Sequence, residues 1–448
     1  MLEKQEWMRY APSLLTEWQQ LWDEGLDVGG YQERCREIAQ RADDAEADAQ
    51  ALFEQMAKAP LRPDYPYLEP SDYREILRCL PAPAALPGLD GSKLGDKIAG
   101  AWTGRIAGCL LGKPLEGLRM DRIMPILRCT GNYPMNRYVD SRDFTDDLRK
   151  RVNLDALEPW QKCWADTIGG AAPVDDDTNY TVFALKLVES YGKGFRSADV
   201  MEGWLQWIPM LATCTAERVA YRNAACGLLP PRTATWQNPY REWIGAQIRG
   251  DFFGYINPGS PREAAEMAFR DACISHVKNG IYGEMYIAAM IAAAACCAGA
   301  EAVVQAGLRE IPPASRLAKG VEQVLAWHKM GCPWQDTARE ITSRWDEWNQ
   351  YHWCHTVSNA MIVTAALLYG EGDFAKSICL AVQTGFDTDC NGATVGSVAG
   401  MLAGRKAIPP VWYNAFQDTL RTSIDGYQNV TVAQLTEKTI KIIEGKTK

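Results

Sequence analysis

The sequence predicts a predominantly or wholly α-helical protein, and three observations predict it. Long stretches place apolar residues at helical spacing, and alternating apolar–polar runs bounded by turns are scarce. In two segments glycine recurs every fourth residue inside an otherwise helical pattern. At 448 residues and 47% hydrophobic content the chain can bury one large core or two ordinary ones.

Residues 1–58 read as two or three amphipathic helices, with Trp18, Leu21 and Trp22 on one apolar face and Leu52, Phe53 and Met56 on another, broken at Gly25 and Gly29-Gly30. From Pro60 to Gly91 seven prolines leave room for one short helix near Ser71–Leu80, so this stretch is a connector laid over the surface. We therefore divide the chain into an N-terminal helical extension with its proline-rich connector, 1–91, and a main domain, 92–448. Gly100, Gly104, Gly108 and Gly112 form one stripe of the helix that opens this domain, and Gly392, Gly396, Gly400 and Gly404 form a second stripe near the far end. Interior helical glycine costs about 1 kcal/mol relative to alanine, so such stripes imply close approach of another backbone, and the two helices are candidates to be neighbours. Arg105, Lys113 and Arg405 and the short apolar lengths favour a soluble bundle over membrane dimerisation. Further helices are expected over Asn179–Tyr191, Pro261–Lys278 and Glu284–Ala298, the last apolar all round and hence central. Pro230–Pro261 reads as a long loop rich in Gly, Pro, Asn and aromatic residues, a length commonly tied to function.

The net charge of −9 argues against a nucleic-acid or anionic-membrane partner and for a small-molecule or protein-attached substrate. The 14 cysteines show no paired metal-type spacing and read as reduced, packed thiols. Met1–Trp7 has no basic segment followed by an apolar stretch, and no long uncharged apolar segment occurs elsewhere except the short alanine run near Ala288–Ala300, so a cytoplasmic location is expected.

Two acidic clusters carry the chemistry: Asp175-Asp176-Asp177-Thr178 and Asp387-Thr388-Asp389, each opening onto a helical run. Capping and dipole compensation explain one aspartate at a helix start, but not three in succession plus a second Asp-x-Asp. Five crowded carboxylates repel one another unless a cation lies between them, and hard Mg²⁺ or Mn²⁺ suits all-oxygen ligands. The expectation is two such ions, which can orient hydroxyls and position a nucleophilic water.

The succession GAWTGRIAGCLLGKPLE (Gly100–Glu116), DDDTNYTVFAL, SHVKNG and GFDTDCNGATVGSVAGMLAG resembles the ADP-ribosylglycohydrolase family, over about Lys93 to Gly404. The resemblance implies a single large orthogonal helical bundle with a binuclear Mg²⁺ or Mn²⁺ centre that cleaves the bond between ADP-ribose and its acceptor. Its Thr-Asp-Asp metal motif falls on Asp175, Asp176 and Asp177, and its Asp-x-Asp-Thr motif on Asp387, Asp389 and Cys390. Asp175 in place of threonine adds a charge, whereas Cys390 puts a soft thiol where a hydroxyl belongs. Glu116 matches the glutamate that approaches the scissile ribose and is read as general base, with Asp177 counted both as ligand and as catalytic residue. Read without the resemblance, Glu116 is a surface glutamate in a loop.

The same resemblance assigns substrate contacts to Gly245 and Arg249, in a glycine-rich stretch meeting the diphosphate, and to His276. The run Asn279, Tyr282 and Glu284 offers amide, phenol and carboxylate groups beside a helix start. Gly250–Asn257 is more aromatic than the family pattern and reads equally as a loop packed on the core. The expected activity is a metal-dependent hydrolysis of a ribosyl glycosidic bond in an ADP-ribosylated protein or small molecule; a nucleoside or nucleotide-type N-riboside is the alternative substrate. A non-catalytic, crystallin-like body is a second reading, disfavoured because a scaffold gains nothing from crowded carboxylates. A terpenoid synthase would share the Asp-rich motif but not the second cluster or the glycine stripes.

Overall fold

The computed structural model describes residues 5–446; Met1 to Lys4, part of the segment read for a leader, lie outside it. Helices dominate, and among the described residues the strands are confined to one hairpin, Thr419–Arg421 paired antiparallel with Asn429–Thr431. Among the described residues no helix is long and apolar enough to cross a membrane.

The extension holds helices Leu14–Asp23, Gln32–Gln40 and Glu46–Met56, whose apolar faces meet in a small cluster of their own built on Leu14, Leu21, Ile38, Phe53 and Met56. The connector behaves as its prolines require: one short helix, Tyr73–Cys79, and otherwise backbone tied to the main body. The Leu68 amide donates to the Ala314 carbonyl at 3.1 Å, and Arg262 donates to the Pro81 carbonyl at 3.1 Å.

The centre of the main body is the pair Leu94–Gly112 and Thr388–Ala403, which run antiparallel with glycine against glycine. A Cβ on Gly104 would collide with the Gly396 carbonyl, one on Gly108 with that of Gly392, and one on Gly100 with that of Gly400; the reverse collisions hold from the partner helix. Both glycine stripes are thus one contact, as their spacing predicts. Helix Lys278–Ala294 is buried from Asn279 to its end and packs beside Thr388–Ala403.

Two expectations change. The helix from Pro261 ends at Ala272, and a new one starts at Lys278, itself at φ +44°. The freed carbonyls of Ile274 and Ser275 accept from the Thr233 hydroxyl (2.6 Å) and the Asn238 amide (2.9 Å), so this break anchors the preceding loop. That loop in turn contains short helices at Arg232–Thr235 and Asp251–Tyr255, and Phe252, Phe253 and Tyr255 are fully buried, making Gly250–Asn257 part of the core.

Candidate active site

The antiparallel pair brings the C-terminal end of one glycine helix to the N-terminal end of the other. The Thr388 hydroxyl donates to the Gly112 carbonyl at 2.9 Å, fixing Lys113–Glu116 beside Asp387–Asp389. Gly385 and Phe386 both take positive φ, +81° and +59°, and this tight reversal aims Asp387 into the same corner. The Asp387 amide donates to Asn359 Oδ1 at 3.3 Å, which also accepts from Asn391 at 2.8 Å.

The other cluster opens helix Asp176–Tyr191. Asp175 is its N-cap, with extended backbone and a side chain accepting from the Asp177 amide at 2.9 Å. The Asp175 carboxylate also forms a buried ion pair with the Lys113 ammonium, which lies 5.4 Å from the Trp160 ring centre. Burial alone would raise its pKa, but Lys113, together with the hydrogen bonds from the Asp177 amide and Cys109, holds Asp175 below the usual carboxylate range. Asp177, fully buried, accepts from Arg105 at 2.9 Å, and Arg105 also faces Asp251 at 3.2 Å. Sequence reasoning used Arg105 and Lys113 only as signs of solubility. They are internal counter-ions, and their positions inside the glycine helix and directly after it were the available signal.

Glu116, Asp176, Asp387 and Asp389 have no Lys or Arg at ion-pair distance among the described residues. Burial, then the neighbouring Asp389, pushes the Glu116 carboxyl well up; burial, then Asp175 and Asp389, takes Asp176 to about 7. Asp387 is likewise pushed well up, by burial and then Asp389. Oδ2 of Asp177 and Oδ1 of both Asp387 and Asp389 are buried without a hydrogen-bond partner. Glu116, Asp387 and Asp389 each offer a carboxylate oxygen within 4.8 Å of the others; so do Asp177 and Asp389 with the Cys390 sulfur, and Asp175 and Asp177 with that of Cys109. Orphaned carboxylate oxygens converging at this spacing suit a hard divalent cation, which repays their desolvation. The oxygen-only trio fits it best. The Cys390 thiol is pushed well up by burial and stays protonated, a poor ligand for Mg²⁺.

A cavity of about 520 Å³ opens on this corner and is lined there by Glu116, Asp176, Asp387 and Cys390, and farther out by Gly245. The remaining residues proposed for substrate line none of it; the structure commits them to internal contacts instead. Arg249 is buried among Asp271, Glu217 (2.9 Å) and Glu284 (3.5 Å). His276 is buried, bonded through Nδ1 to Ser275 at 2.8 Å, and held well below its usual pKa by burial and then Arg249. Asn279 donates to Glu69 (2.8 Å) and Glu242 (2.9 Å), and the Tyr282 hydroxyl donates to the Pro70 carbonyl, so both clasp the connector. Physically, the helix they occupy is the dock for that connector. What the sequence did not reveal is the outer wall: Trp7 and Thr16 from the extension, with Tyr240, Trp243 and Trp353 from the main body.

The sequence profile of the ADP-ribosylglycohydrolases matches residues 90–441, and the chain belongs to that family. No protein of curated function matches. A solved structure described as an "ADP-ribosylglycohydrolase-related protein complex" is 19% identical, with a TM-score of 0.49 over 79% of this chain and 99% of that one.

Proposed function

We propose, on the premise of that family membership, that the protein is a divalent-metal-dependent hydrolase of a ribosyl glycosidic bond. The observation that carries this reading is the convergence of Glu116, Asp387 and Asp389 on one corner of a cavity, with Asp176 beside them. Asp387 and Asp389 would hold Mg²⁺ or Mn²⁺ next to Glu116, with Asp176 lining the cavity beside them; Asp175 and Asp177, paired with Lys113 and Arg105, support the site from behind. A bound ion supplies polarisation of water and a grip on vicinal hydroxyls. Glu116 faces the cavity and takes a proton from the water that attacks the anomeric carbon. As the glycosidic bond lengthens, positive charge grows on the sugar ring, and the surrounding carboxylates are fixed in place to stabilise it. An ADP-ribosyl group on a protein or small molecule is the substrate that family membership puts first.

The test pairs two variants with isothermal titration of Mn²⁺ and a ribosyl-hydrolase assay. Glu116→Gln should lower kcat by about 10²–10⁴-fold while weakening ion binding far less than Asp389→Asn, which should remove it. Normal hydrolysis by both variants sinks the assignment.

A further inference from the structure

The far wall of the cavity differs in kind from its acidic corner. It is built of Trp7, Tyr240, Trp243 and Trp353, and among the described residues that line the cavity there is no Lys, Arg or His. Trp243 and Trp353 are each more than nine-tenths buried, and their indole N–H groups have no hydrogen-bond partner.

The cations nearby are already committed. Arg119 lies 4.8 Å from the Trp353 ring centre and donates to Gln350; Arg218 lies 5.4 Å from that of Trp7 and donates to the Thr213 carbonyl and to Gln5 at 3.0 Å. Arg249 and Lys113 are held by carboxylates. The helix Thr215–Ala225 does begin at the cavity, but its first turn carries Glu217, whose carboxylate takes its own backbone N–H and faces Arg249. A diphosphate in such a cavity would meet no arginine or lysine fork and one further carboxylate, which leaves it without charge-assisted side-chain donors.

Resting on the proposed function, we infer that the cavity takes an uncharged N-riboside with an aromatic base, a nucleoside, and that the extension supplies part of the surface the base stacks on. Ribose hydroxyls face the acidic corner, and the base lies against the tryptophans. Water oxygen bonds to C1′ as the C1′–N bond breaks, the electron pair leaves on the base, and the proton taken by Glu116 returns to the base nitrogen, giving free ribose and free base.

The experiment is a steady-state comparison, with Mn²⁺ and the full chain, of inosine, adenosine and uridine against ADP-ribosyl-arginine, for wild type, Trp7→Ala and Trp7→Phe. A nucleoside should be preferred in kcat/KM by at least 100-fold. Loss of one stacking face worth about 1–3 kcal/mol should raise KM about tenfold in Trp7→Ala with kcat within twofold, and Trp7→Phe should restore most of it. Preference for ADP-ribosyl-arginine, or an unchanged KM in a folded Trp7→Ala, overturns the inference and leaves the glycosidase reading standing. Turnover of neither class overturns both.

Discussion

The contact between Leu94–Gly112 and Thr388–Ala403 and the contact between the N-terminal extension and the main body are both buried, yet one is made of backbone and the other of charge. In the first, peptide groups touch where side chains are missing. In the second, Arg241 pairs with Glu17 and Glu24 at 2.7 Å each, and Arg316 with Glu69 of the connector at 2.7 Å. Backbone contact has no adjustable parts, so it gives the carboxylates at its end a fixed separation. Ion pairs can be rebuilt from other residues, which suits a region that shapes a cavity wall without holding the reacting groups.

The sharpest way to break this contrast is Gly104→Ala with Gly108→Ala. Each added methyl meets a carbonyl that cannot move aside, at about 3 kcal/mol. Together they should consume a large part of the 5–15 kcal/mol typical of a folded domain. Denaturant unfolding that left stability unchanged would show that the helices can part. The charged seam should respond differently: Arg241→Met leaves Glu17 and Glu24 buried without that partner and should cost about 3–5 kcal/mol, while adding Glu17→Leu should recover part of it. If the second change recovers nothing, the ion pairs are as unforgiving as the glycines. The smallest effect concerns pH. Asp176 titrates at about 7 in the fold and near ~4 when unfolded. A carboxyl raised in the fold loses stability as pH climbs through that window, so the metal-free protein should melt lower at about pH 8 than at about pH 5. Added Mn²⁺ should close the gap; a gap that persists argues against ion binding at these carboxylates.

Features set by local chemistry were legible in the sequence. Four-residue glycine spacing gave the helix pair, and Asp runs before apolar stretches gave the two helix starts that meet. The proline run gave the connector. Illegible were facts created by juxtaposition: Lys113 reaching Asp175, Arg105 reaching Asp177, and Trp7 crossing to a cavity whose floor lies more than a hundred residues away along the chain. The assignments to Arg249, Asn279 and Tyr282 illustrate the same limit. Their polar groups suit a sugar or phosphate, but they also suit the buried carboxylates and carbonyls of a docking connector, and spacing cannot separate the two uses.

The glycine contact also works as a ratchet tooth. Sliding one helix past the other by a single turn, about 5.4 Å, would carry Glu116 out of reach of Asp389. Each carbonyl seated in an opposing notch blocks that slide. Any insertion or deletion within Leu94–Gly112 or Thr388–Ala403 must therefore throw the notches on one side of it out of register with those on the other. Length variation in relatives of this chain should accordingly collect in the loops and spare these two rods.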